Sequence, residues 1–78
     1  MTILDLEIKL KENNVPSIMY SLSESLPNEA YCLIYEWDEW LFYYSERGHK
    51  NIIARFLRES DACRFVLDYL IREAEKYK

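Results

Sequence analysis

The chain has one glycine, two prolines, two cysteines and one histidine. The single glycine and paired prolines exclude a linker or a loop-rich module, and no glycine-rich loop is present to cradle a phosphate. Cys32 and Cys63 stand far apart with no CxxC, and with a single histidine no zinc-type ligand set assembles. The two cysteines read as buried thiols rather than a disulfide. No apolar run is long enough to span a bilayer, and the opening Met-Thr-Ile-Leu-Asp has no leader character, so a cytoplasmic protein is expected. Positive charge is missing from a long internal stretch, since no Lys or Arg occurs between Glu12 and Glu46.

What is abundant is aromatic. Three Phe, two Trp and seven Tyr stand among 78 residues. A single domain of this size, spanning 1–78, buries only roughly 60–65% of the surface its unfolded chain exposes, so bulky rings supply much of the available core. Charge is uneven: residues 1–46 carry nine acids against two bases, and residues 47–78 carry eight bases against five acids. An acidic half disfavours nucleic acid and favours a basic partner.

Residues 3–13 alternate like a strand at Leu4, Leu6, Ile8 and Leu10, yet Ile3, Leu6 and Leu10 also share a helical face. Helix is the better reading, because Thr2 suits an N-cap with Asp5 three residues on. Asp5–Lys9 and Glu7–Lys11 also have the favourable i,i+4 order. Asn13-Asn14 and Pro16 end it. Ser17–Ser21 reads as a short edge strand, followed by a loop over Ser23–Glu29.

Strands are expected over Ala30–Glu36 and Trp40–Glu46, with Asp38-Glu39 as the turn centre. That centre places Tyr35 opposite Phe42 and Leu33 opposite Tyr44 on one face, and Ile34 opposite Tyr43 and Glu36 opposite Leu41 on the other. Gly48 should take a positive φ in a turn over Arg47–Lys50, before a last strand at Asn51–Phe56. Ser60 is expected to cap a final helix whose apolar stripe is Ala62, Cys63, Val66, Leu67, Leu70 and Ala74, with Phe65 and Tyr69 on its flank.

The fold expected is α+β: a two-layer sandwich of an antiparallel meander with N- and C-terminal helices on one side. The face with Leu33, Trp40, Phe42 and Tyr44 should meet the helices. Ile34, Leu41 and Tyr43 would then face out, fringed by Glu36, Asp38 and Glu39, as a candidate surface for another protein or for a second copy. No catalytic constellation stands out. His49 has no Ser or Cys placed to be activated, and the three hairpin acids lack ligand spacing or burial, so no enzyme activity, metal, cofactor or small-molecule substrate is expected.

The segments Lys11–Pro16 (KENNVP), Tyr20–Leu22, Pro27–Leu33 (PNEAYCL), Trp40–Gly48 (WLFYYSERG) and Phe56–Cys63 (FLRESDAC) together resemble a family of small bacterial immunity proteins of polymorphic or contact-dependent toxin systems. The resemblance covers nearly the whole chain and rests on W-x-x-Y-Y-x-E-R-G and F-x-x-E-x-x-A-C. It implies a cytoplasmic inhibitor that binds one cognate toxin domain, and it supplies no catalytic residues to carry over. Positions 34 and 41, often charged in that pattern, are Ile34 and Leu41 here. The alternative is a small homodimeric structural or accessory protein.

Overall fold

A computed structural model describes residues 1–22 and 29–76. Helix α1 (Ile3–Glu12) is followed by a 3₁₀ turn at Ser17–Met19, then β1 (Tyr20–Ser21), β2 (Ala30–Glu36), β3 (Glu39–Glu46), β4 (His49–Phe56) and α2 (Glu59–Glu75). The four strands form one sheet in chain order, so the expected α+β architecture is present. The sheet is mixed: β2, β3 and β4 form the antiparallel meander, but β1 runs parallel to β2. The expected loop over Ser23–Glu29 lies outside the described residues except for Glu29.

Each helix is set by local chemistry. Thr2 and Asp5 form a reciprocal capping box: the Asp5 N–H donates to Thr2 Oγ1 at 3.3 Å, and the Thr2 N–H donates to Asp5 Oδ2 at 3.0 Å. Two of the helix's orphan donors are thereby satisfied. Asn14, at φ 60°, then turns the chain out, and the Val15 N–H closes the end on the Leu10 carbonyl. Helix α2 starts two residues earlier than Ser60 capping would require. Its N-cap is Arg58, which makes no side-chain cap, and Glu59 and Asp61 occupy the first turn. Glu59 does other work: its carboxylate accepts the Ile3 N–H at 2.9 Å, tying the start of α1 to the start of α2.

Both helices pack on one face of the sheet. Leu6, Leu10, Val15, Leu33, Phe42, Ala62, Cys63, Val66, Leu70 and Ala74 form the buried core between the layers. All the stripe residues expected on α2 reach it, Leu67 only in part. Cys63 lies here and Cys32 on the opposite face of the sheet, both as free thiols. Burial pushes the Cys63 thiol up to about 11, so it stays protonated at neutral pH.

The β2–β3 hairpin turns at Trp37-Asp38 instead of Asp38-Glu39. Tyr35 therefore pairs with Trp40, Leu33 with Phe42, Ile34 with Leu41, and Cys32 with Tyr43. This is a slip of two residues from the expected register. Side chains alternate with period two, so every residue keeps its face. Both turn residues have positive φ, 56° at Trp37 and 63° at Asp38, as a two-residue primed turn demands. Asp tolerates that conformation better than Glu in general, because a short carboxylate can reach its own backbone. The next hairpin repeats the design with Arg47 at φ 49° and Gly48 at φ 81°, so β4 begins at His49, two residues before the expected Asn51.

Candidate functional site

The surface expected to face outward is not free. Ile34, Leu41 and Tyr43 do lie on the sheet face away from the helices, but Leu41 and Tyr43 form a second buried cluster with Cys32, and half-buried Ile34 packs against it. Tyr43 is 0% exposed and Leu41 9%. Lys50, from β4, carries its ammonium over the Tyr43 ring at 5.1 Å from the centroid. A partner could reach Tyr43 only by displacing what already covers it. Sequence alternation assigned the face correctly but could not show that Lys50 reaches back over Tyr43.

The three hairpin acids also separate. Glu36 Oε2 lies 3.7 Å from Lys50 Nζ, and Glu39 Oε1 lies 3.0 Å from Arg55 Nη1. Both are half-buried; Asp38 is exposed and has no partner among the described residues. Surface pairs of this kind are individually weak, so the tip keeps one carboxylate in excess of its two cations. The acidic triad is thus one open charge beside two compensated ones.

What the tip does present is Trp37. It occupies the first turn position, flanked by Glu36 and Asp38, and is 89% exposed. Two unfavourable features coincide there: an indole left in water, and a bulky residue held in the left-handed region where Gly, Asn or Asp is preferred. Each such backbone costs about 1–3 kcal/mol.

From the tip, an aromatic strip runs along the helix side of the sheet. Tyr35, 57% exposed, stands 5.1 Å from Trp40. Trp40 pairs across strands with Phe56, whose ring lies 5.3 Å from Phe65 on α2. Exposed Leu57 follows Phe56, and Arg58 and Arg64, which have no ion-pair partner among the described residues, flank this end. Deeper along α2 the rings close up: Phe65 and Tyr69 both pack edge-on against Phe42. Tyr69 is half-buried core margin, while Phe65 extends into solvent. The signal for this strip in the sequence was the i, i+2 spacing of Tyr35 with Trp37. Its continuation through Trp40, Phe56 and Phe65 depends on a register that spacing alone does not determine.

Reactive chemistry is sparse. Among the described residues no three His, Cys, Asp or Glu side chains cluster so as to hold a metal ion. His49 lies with Glu46, Arg47 and Asn51 around a shallow depression at the second hairpin, with no nucleophile beside it. No helix among the described residues is long and apolar enough to cross a membrane. The arrangement presents rings and charge for contact. No family model, curated protein or solved structure matches the chain.

Proposed function

We propose that this protein is an immunity-type inhibitor that binds one cognate bacterial toxin domain in the cytoplasm and blocks the toxin's basic active-site cleft. The exposure of Trp37 at the apex of a strained hairpin carries this reading. A large ring held out in water by two tight-turn residues is suited to enter a pocket, and Trp is the residue most enriched where interfaces concentrate their energy. Asp38, the carboxylate left uncompensated at the tip, supplies charge opposite to a cleft that binds phosphate or another anion, which speeds encounter. Tyr35, Trp40, Phe56 and Phe65 extend the contact along one side of the hairpin, so the interface lies beside α2 and not on the far face of the sheet. Inhibition then needs no turnover: the inhibitor fills space and charge that substrate would occupy.

The direct test is capture of a toxin encoded beside this gene, followed by rescue of cells that express it. Wild-type protein should protect, and Asp38→Lys with Trp37→Ala should abolish protection. Recovery of no toxin, or full protection by the double variant, would overturn the proposal. A homodimer is the second reading, favoured by the apolar character of Leu57 and Phe65. Light scattering decides it: a dimer that dissociates on Phe65→Lys supports the homodimer, and a monomer at micromolar concentration removes it.

A further inference from the structure

Away from the hairpin tip, at the opposite end of β2, a groove of about 500 Å³ is lined by Pro16, Ile18, Met19, Glu29, Tyr31 and Tyr44. We propose that this groove binds an ammonium or guanidinium cation carried on an apolar stem. The chemistry of its walls selects that class. Among the described residues Glu29 is the one formally charged residue lining it, and no ion pair to Glu29 is formed among them. The Tyr31 and Tyr44 rings, 4.8 Å apart and tilted by 57°, present aromatic faces and edges to the same space, and aromatic faces attract cations. Pro16, Ile18 and Met19 offer apolar surface to a methylene stem, with Ile18 almost fully exposed at the rim.

The back of the groove is braced. The Tyr31 hydroxyl donates to Glu73 Oε2 at 3.3 Å, and Glu73 Oε1 accepts from Lys76 at 2.9 Å, so that carboxylate is already engaged and Glu29 is left for a ligand. Tyr31 also packs against Phe42 and Tyr69, which fixes its ring. An anionic ligand would meet Glu29 with like charge, and a neutral apolar one would gain nothing from that carboxylate. The cation can come from a free polyamine-like molecule or from an arginine or lysine side chain of a polypeptide. The site does not depend on Trp37 and stands or falls separately from toxin binding.

The test is an NMR titration of the whole chain with two probes: agmatine for a free cation, and a blocked Gly-Gly-Arg-Gly-Gly peptide for a side chain. The same peptide with norleucine in place of Arg is the neutral control. Saturable shifts at Met19, Tyr31 and Tyr44 are expected with at least one cationic probe, and the tighter of the two identifies the source. Glu29→Gln should weaken binding by about tenfold, the usual scale for losing a charged hydrogen-bond partner, with the melting temperature unchanged. Tyr44→Leu should weaken it as well. Absence of saturation up to about 10 mM, equal binding of the norleucine peptide, or shifts confined to other residues would overturn the proposal.

Discussion

At the scale of single residues, the most informative position is Trp37. Its backbone at φ 56° suits Asn, and its side chain gains almost nothing from the fold. Trp37→Asn should therefore stabilise the protein by about 1 kcal/mol, which in a domain this small raises the melting temperature by roughly 4–8 °C. A calorimetric scan showing a fall would mean the indole packs for stability after all. Gly48 is the reverse case. A Cβ there would meet nothing within 4 Å, so space is no obstacle, but φ of 81° is strained for any branched residue. Gly48→Val should cost about 2 kcal/mol through the backbone alone, read as a lower urea midpoint with an unchanged slope. Ser45 is a third: its buried hydroxyl has no hydrogen-bond partner among the described residues. Ser45→Ala should leave stability equal or raise it by about 1 kcal/mol in the same urea experiment, since removing an unsatisfied polar group removes its desolvation cost.

At the scale of elements, α1 is held by its capping box, and this makes its stability depend on pH. The Asp5 carboxyl is lowered from 3.8, first by the hydrogen bond from the Thr2 N–H, then by the Thr2 hydroxyl. A depressed folded-state value means the contribution is fully present above about pH 4 and is lost as pH falls through the lower, folded value. Asp5→Asn should accordingly differ from wild type at neutral pH and converge with it in strong acid; a gap that is constant with pH would contradict the assignment. This helix could be seen in the sequence because capping and i,i+4 pairing are local signals, and the Glu7–Lys11 pair does form, at 3.5 Å. The α2 stripe was visible for the same reason. The β2–β3 register was not, because Asp38 fits either turn and the faces are identical under a two-residue slip. Arg58 as the N-cap of α2 has no side-chain signature to read, and Ser60 offered a stronger one.

At the scale of the whole molecule, the layer order and the helix-facing surface of the sheet followed from pattern. The candidate surface did not. Ile34, Leu41 and Tyr43 looked exposed because helices cover only one face of a two-layer domain. The other face is not open at its centre, where Tyr43 and Cys32 are fully buried and Lys50 bridges Tyr43 and Glu36 across the strands. Exposed aromatic area shifts instead to the helix side, where α2 leaves Tyr35 and Phe65 exposed and Trp40 and Phe56 half-buried toward the hairpin tip. Binding at that edge, and not at the far face, is the central claim. It is tested most directly by survival of cells expressing a toxin encoded beside this gene, with Trp37→Ala on the proposed edge set against Ile52→Lys on the far face, where Ile52 pairs with Tyr43 across the strands and is exposed. The account predicts that Ile52→Lys protects as well as wild type while Trp37→Ala lowers survival at least a hundredfold, the scale of losing an interface anchor worth about 3 kcal/mol. Protection retained by Trp37→Ala and lost by Ile52→Lys would contradict it.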